Sequence, residues 1–203
     1  MKISKVLVMF LFASLLSGCI LPKSYIDPKY AAISEADLKQ LEEKHIVSLD
    51  VEFMCNGERF ESVDEELKSK VEMALVKSGV VSLAENEQPI KLKVVCNNIA
   101  DIEAAVAQGF GTGLTLGLSG TAITDYYEIH IEMTQGGTIL EKKYEHALHS
   151  TIGNKAAPFT VEPISPEAAF DGVIEDVIFE FIKEMQETDV LTFRDHRFVN
   201  TAT

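Results

Sequence analysis

The sequence lacks the motifs of the common hydrolases and nucleotide-binding enzymes. It has no Gly-x-Ser-x-Gly motif, since the stretch from Gly117 to Gly120 is one residue short of that pattern. Gly109-Phe110-Gly111 lacks the third glycine of a dinucleotide-binding loop, and no Gly-Lys-Ser or Gly-Lys-Thr follows it. We therefore expect a protein that is not an enzyme and that uses no cofactor.

Basic residues are also scarce, because 18 lysines and arginines stand against 32 acidic residues. An acidic surface repels phosphate groups and anionic lipid headgroups. This charge argues against nucleic acid as a partner and against an electrostatic membrane-binding patch. The 203 residues are enough for one domain with a substantial core.

The N-terminus has the pattern of a secretory signal. Lys2 and Lys5 precede an apolar run from Val6 to Leu16, which is too short for a permanent membrane-spanning helix. The run ends in Leu16-Ser17-Gly18-Cys19, an aliphatic residue and two small residues before a cysteine. This motif resembles the lipobox of bacterial lipoproteins.

The resemblance implies that residues 1–18 are a signal peptide and that Cys19 is acylated. Two or more acyl chains hold a protein at a membrane almost permanently, since each buried methylene contributes about 0.8 kcal/mol. Ile20 replaces the aspartate that commonly retains members of this family at the inner membrane, so the resemblance implies the periplasmic face of the outer membrane. Residues 19–33 contain two prolines and no hydrophobic period, and they predict a tether.

Residues 34–187 predict a single α+β domain, a mainly antiparallel sheet with helices packed on one face, in a two-layer sandwich. Apolar stripes at helical spacing predict the two helices over 63–78 and 166–187. The C-terminal tail 188–203 contains a small basic and aromatic group between Phe193 and Phe198. That group is either a contact segment or part of a frayed end.

Only two cysteines, Cys55 and Cys96, occur in the domain, and each ends a strand of alternating apolar and polar residues. A short strand from Val80 to Leu83 is expected to be parallel to the first of these strands and, after a tight turn, antiparallel to the second. An oxidising compartment favours a disulfide. The expected connectivity instead places the two thiols at opposite edges of the sheet. A disulfide and two buried free thiols are both open interpretations.

The segment 104–124 contains five glycines and no charged residue. A period of two places the apolar residues of the segment on one face, as in a buried strand or a hairpin that contacts a partner or a membrane. These residues are Phe110, Leu114, Leu116 and Leu118. A period of four gives a ridge of glycines, as in helices that pair within membranes.

The clearest hairpin has Gly136-Gly137 as its turn, so that Glu132 faces Glu141, His130 faces Lys143 and Glu128 faces Glu145. Carboxylates around His130 make Glu128, His130 and Glu132 weak candidates for cation ligands. The alternative is a solvated outer face, because no second histidine joins it.

Two further histidines, His146 and His149, lie three positions apart on the second strand of this hairpin. Side chains three positions apart on a strand point to opposite faces, so the two cannot share a ligand. We expect them to be independent residues at the surface or the sheet edge.

Segment Leu114–Leu118, followed by Asp125 to Tyr127, resembles uncharacterised outer-membrane lipoproteins. Many small lipoproteins of similar size and layout are accessory subunits, so the resemblance implies a non-catalytic interaction or assembly module of the cell envelope with a protein partner. The alternative is a membrane-active or lipid-handling protein that uses segment 104–124. The sequence does not predict the oligomeric state.

Overall fold

The structure is a computed structural model that describes residues 21–30, 32–100 and 120–188. The strands are β1 (Lys23–Ile26), β2 (His45–Cys55), β3 (Glu58–Arg59), β4 (Val81–Leu83), β5 (Ile90–Ala100), β6 (Thr121–Gln135) and β7 (Thr138–Ile152). The helices are α1 (Asp64–Lys77) and α2 (Pro166–Glu187), and short 3-10 helices occur at Glu35–Asp37 and Glu61–Val63. Cys19, Phe110, Leu114, Leu116 and Leu118 lie outside the described residues.

The strands form one sheet in the order β1-β7-β6-β5-β2-β3, and β4 also pairs with β2. Strand β2 is parallel to β4 and β5, and the remaining pairs are antiparallel. Helix α1 packs on β2 and β4, α2 packs on β7 and β1, and the two helices contact each other. Their apolar stripes share one core with the sheet. The predicted α+β fold with helices packed on one face is confirmed.

Helix α2 begins where the sequence predicts. Ser165 is its N-cap, and the Ser165 hydroxyl accepts a hydrogen bond from the N–H of Ala168. A Cβ added at Gly172 would lie 2.4 Å from the terminal Cδ1 methyl of Ile26 on β1, and this side chain would have to shift to admit it. Within the described ranges, no helix has the length and apolar character needed to span a membrane.

The β6–β7 hairpin also has the predicted register. Gln135 pairs with Thr138 across the turn, and His130 pairs with Lys143. Gly136 and Gly137 have positive φ angles of 58° and 82°, the conformation of a turn that matches the twist of the strands. The hairpin therefore sets which side chains face the helices and which face away.

The predicted connection between β4 and β5 is wrong. Strand β5 lies beside β2 and is parallel to it, so residues 84–89 cross β2 instead of reversing the chain. The crossing is short because β4 ends at Leu83 and β5 begins at Ile90, and both residues are level with Val47. Turn-forming residues thus mark a connection here without fixing its direction.

This topology changes the relation between Cys55 and Cys96. Cys96 pairs with Phe53, so the two cysteines lie on neighbouring strands, two positions out of register, and not at opposite edges. Such a diagonal separates Cα atoms by about 8 Å, which exceeds the usual range for a disulfide. Both thiols are free in the structure, and burial raises the pKa of Cys96 to about 12.

The predicted tether 19–33 contains an ordered edge strand. Strand β1 pairs with β7, and both Ser24 and Tyr25 are buried. Pro22 and Pro28 flank this strand, and proline is tolerated at strand ends because no ladder hydrogen bond is lost there. The prolines therefore delimit a strand and do not mark a flexible linker throughout.

Candidate functional site

The sheet face opposite the helices carries a charged groove of about 220 Å³. Its polar side chains come from three strands, β5, β6 and β7, and include Lys93, His130, Glu132, Glu141 and Lys143. Lys93 forms an ion pair with Glu52 at 2.7 Å, and this hydrogen bond raises the pKa of Lys93. Side chains of both charge signs therefore lie next to one another on this open face.

Glu128, His130 and Glu132 lie on this open face at alternate positions of β6. Alternate residues on one strand are about 6.7 Å apart, and Lys143 lies opposite His130. In the described part of the chain, no three histidine, cysteine or acidic side chains are grouped so that they could hold a metal ion. The geometry is that of a solvated charged surface.

The opposite face of the same hairpin carries a second polar array, here called the β7–α2 seam. It consists of Lys142, Tyr144 and His146 on β7 and Asp176, Glu180 and Glu184 on α2. Alternate strand residues repeat every 6.7 Å or so, and every fourth helix residue repeats at about 6 Å. The two repeats are similar, so polar side chains of the helix face those of the strand along the seam.

The contacts of the seam run along its length. Lys142 Nζ lies 2.7 Å from Glu184 Oε2, and the Tyr144 hydroxyl donates to the same oxygen at 3.2 Å. Burial raises the pKa of Tyr144, and the Glu184 carboxylate raises it further, so the phenol remains a hydrogen-bond donor. Burial also raises the pKa of Glu180, followed in effect by the charge of Glu184.

At the other end of the seam, His146 is buried, which corrects the expectation of a surface residue. Its Nε2 lies 3.5 Å from Asp176 Oδ2 and forms no hydrogen bond with any described residue, while Nδ1 accepts from the N–H of Ala147 at 2.9 Å. The ring of Tyr30 stacks on the imidazole at a centroid distance of 4.5 Å. The sequence did indicate that His146 is buried, because it lies at an alternate position of β7 between the buried residues Tyr144 and Leu148.

His149 lies on the opposite face, as predicted, but it is not an independent surface residue. Its Nδ1 is 2.9 Å from the Thr124 hydroxyl, and its Nε2 is 3.2 Å from Asp27 Oδ2. Burial opposes ionisation of Asp27, but hydrogen bonds from the Lys29 N–H and from His149 outweigh it and lower the pKa of Asp27. The two histidines therefore hold the N-terminal segment against both faces of β7.

Several strands begin or end at one end of the sheet, here called the Lys23 end. Lys23 pairs with Thr151, which pairs in turn with Ala122 near the start of β6. Strand β5 ends at the same side, at Ala100. The chain thus enters β1, leaves β5 and enters β6 at one end of the domain.

Comparisons with known proteins give weak similarities only. No protein-family model matches the sequence, and no curated protein matches it. A minor lipoprotein from Acinetobacter baumannii shares 9% identity at a TM-score of 0.34, over 74% of this chain and 92% of that one. A PelC dodecamer from Paraburkholderia phytofirmans shares 9% identity at a TM-score of 0.31, over 82% of this chain and 98% of that one.

A hypothetical protein from Chlamydia trachomatis shares 8% identity at a TM-score of 0.30, over 74% of this chain and 98% of the other. All three TM-scores lie below 0.5. These similarities therefore support neither a shared fold nor a shared function.

Proposed function

We propose that this protein is a lipid-anchored, non-catalytic interaction module of the bacterial cell envelope, held at the periplasmic face of the outer membrane through Cys19. The lipobox-like Leu16-Ser17-Gly18-Cys19 supports the anchor, and Ile20 supports the outer membrane. The role as a module for a protein partner is supported by an open, charged sheet face with both signs of charge.

The position of β1 is the observation that carries this proposal. Lys23 is four positions after Cys19, and four extended residues span at most about 14 Å. Because β1 is hydrogen-bonded to β7, an acylated Cys19 holds the Lys23 end of the sheet close to the membrane surface. The domain is then apposed to the membrane instead of moving freely on a long tether.

A second candidate function is membrane contact by segment 104–124. One observation favours it: the chain leaves β5 at Ala100 and enters β6 at Thr121, both at the Lys23 end. The uncharged, glycine-rich segment is therefore connected to the domain on the side that a lipid on Cys19 directs to the membrane. An apolar segment at that side is suited to contact acyl chains.

Fractionation of a Cys19→Ala variant that carries a conventional cleavable signal tests both functions. The membranes are washed with high salt and then with carbonate, and Cys55→Ala in the native signal context is the matched cysteine control. The wild type and the Cys55→Ala variant are expected in the outer-membrane fraction after both washes. The Cys19→Ala variant is expected in the soluble periplasmic fraction.

The two outcomes separate the candidates. Soluble Cys19→Ala protein means that the lipid is the sole anchor, and membrane contact by segment 104–124 is then rejected. Protein that stays with the membrane through carbonate means that the chain itself enters the membrane, and the lipid-tethered module is then rejected. A wild type that does not incorporate labelled palmitate would reject lipidation at Cys19 altogether.

A further inference from the structure

A second groove, of about 450 Å³, lies between α2 and the segment that follows β1. That segment forms one wall with Asp27 and Tyr30, and α2 forms the other with Ala168, Gly172 and Asp176. Ala168 and Gly172 lie one helical turn apart and are the smallest residue types, so α2 leaves room beside the segment. Among the described residues, none lines both this groove and the charged groove of the open face.

The negative charge of this second groove is only partly balanced. Four carboxylates line it, those of Asp27, Asp171, Glu175 and Asp176. Asp171 and Glu175 each form an ion pair of 2.6 Å with a lysine of α1. Within residues 21–30, 32–100 and 120–188, Asp27 and Asp176 each lie near a histidine but form no ion pair with a lysine or an arginine. One carboxylate on each wall is therefore available to a cation.

His146 lies behind the groove, and its side chain is 2% exposed. Nδ1 accepts the N–H of Ala147, so in the neutral ring Nε2 carries the proton. Nε2 faces Asp176 Oδ2, but their separation of 3.5 Å is longer than a normal N–H···O hydrogen bond, and no described atom is hydrogen-bonded to Nε2. The imidazole therefore does not hold the Asp176 carboxylate, which can accept a hydrogen bond from the groove.

Tyr30 gives the groove an aromatic surface. The imidazole of His146 stacks on its ring at a centroid distance of 4.5 Å, and the Nζ of Lys29 lies 5.0 Å from the ring centroid. Because the imidazole covers one face, the ammonium approaches the other, and a cation is thus accommodated against this ring. A guanidinium combines the two properties that the groove selects, since it stacks on aromatic rings and donates paired hydrogen bonds to a carboxylate.

We propose that this groove receives an arginine side chain of a partner protein. The guanidinium stacks on the free face of Tyr30 and donates to the Asp176 carboxylate, with the charge of Asp27 on the other wall. The methylene groups of the arginine lie along Ala168 and Gly172. This inference goes beyond the proposed function, because it concerns a different surface from the open sheet face and does not require a lipid on Cys19.

An NMR titration of the soluble Cys19→Ala chain with the peptide acetyl-Gly-Arg-Gly-amide tests the proposal. We expect saturable shifts of the amides of Tyr30, Gly172 and Asp176. The control peptide has citrulline, a neutral group of the same shape, in place of arginine and should cause no such shifts. Asp176→Asn should weaken binding by at least about fivefold. Glu167→Gln makes the same charge change at an exposed position of α2 outside the groove, and should weaken binding by less than about twofold.

A second variant blocks the groove without changing its charge. Ala168 is exposed on α2 and leucine is a good helix former, so Ala168→Leu should fold and should abolish the saturable shifts. It gives the answer if Asp176→Asn disturbs the packing around His146. Three results would overturn the proposal: no saturable shift at the groove, equal binding of the citrulline peptide, or equal weakening by Glu167→Gln and Asp176→Asn. The last result would mean that the peptide is attracted by the acidic chain as a whole.

Discussion

The two faces of strand β7 differ more than their sequences suggest. Glu141, Lys143 and Glu145 lie on the open face, where Glu141 and Lys143 line a shallow charged groove. The alternate positions Lys142, Tyr144 and His146 also carry polar groups, but α2 covers them. A carboxylate oxygen of α2 lies within 3.5 Å of a polar atom of each of these side chains. One position along the strand thus separates a solvated surface from a partly buried polar seam.

The difference shows that the covering helix, and not the residue type, decides what a polar side chain contributes. A charged group in water gains little from a partner, because solvent screens the interaction. The same group under a helix is desolvated and becomes costly unless it is paired. Stability should therefore respond strongly to changes on the covered face and weakly to changes on the open face.

The largest contrast is expected between adjacent residues of β6. Ile131 is 1% exposed in the core, so Ile131→Ala should lower the free energy of unfolding by about 2–5 kcal/mol. His130 points to the open face, and His130→Ala should change the free energy of unfolding by no more than about 0.5 kcal/mol. Urea denaturation of the soluble Cys19→Ala chain measures both. A cost for His130→Ala comparable to that of Ile131→Ala would mean that the open face is covered.

The next contrast uses two ion pairs between the same helices. Lys70 has a side chain that is 6% exposed and lies 2.6 Å from Asp171, whereas Lys77 is 54% exposed and lies 2.6 Å from Glu175. Lys70→Ala should lower the free energy of unfolding by about 1–3 kcal/mol. This is less than for a fully buried ion pair, because Asp171 remains partly solvated. Lys77→Ala should cost less than about 1 kcal/mol. Equal losses in urea denaturation would show that burial does not distinguish these pairs.

A smaller effect is expected from single hydroxyl groups. Tyr144→Phe removes the hydrogen bond to Glu184 under α2 and should cost about 0.5–1.5 kcal/mol. The control is Tyr126→Phe, since Tyr126 is 54% exposed and should be replaced without a measurable change. Thermal unfolding of both variants at neutral pH gives the comparison. An unchanged unfolding midpoint for Tyr144→Phe would show that the hydrogen bond to Glu184 stabilises the protein no more than a hydrogen bond to water does.

Local periodicity was sufficient to predict most elements of the fold. The alternation around Tyr127 to Met133 and the Gly136-Gly137 turn fixed the β6–β7 register, and the N-cap at Ser165 fixed the start of α2. These signals depend on neighbouring residues only. The relation of Cys55 to Cys96 depends on which side of β2 the chain reaches after β4, and no local signal determines that side.

The polar contacts were less predictable. His146 was expected at the surface or the sheet edge, although its parity on β7 matches that of buried residues. Its partners Asp176 and Tyr30 come from distant parts of the chain. Strand β1 was missed because its four residues have an edge position and are flanked by prolines. Short edge strands take their stability from pairing with a neighbour, so composition alone does not reveal them.

The smallest expected effect concerns the charge of Glu180. Burial first, and then the carboxylate of Glu184, raise the pKa of Glu180 above its ordinary value of 4.5. A carboxyl with a raised folded pKa gives its full contribution to stability below the unfolded pKa, and this contribution is lost as the pH rises through the folded pKa. Glu180→Gln should therefore stabilise the protein at neutral pH and leave it unchanged at acidic pH. The Glu180 side chain as a whole is exposed although its carboxyl is partly desolvated, so solvent screening keeps the gain below about 1 kcal/mol. Thermal unfolding at both pH values measures the gain, and Glu145→Gln on the open face is the matched control. An equal gain at acidic pH would show that the substitution acts through packing and not through the charge of the seam.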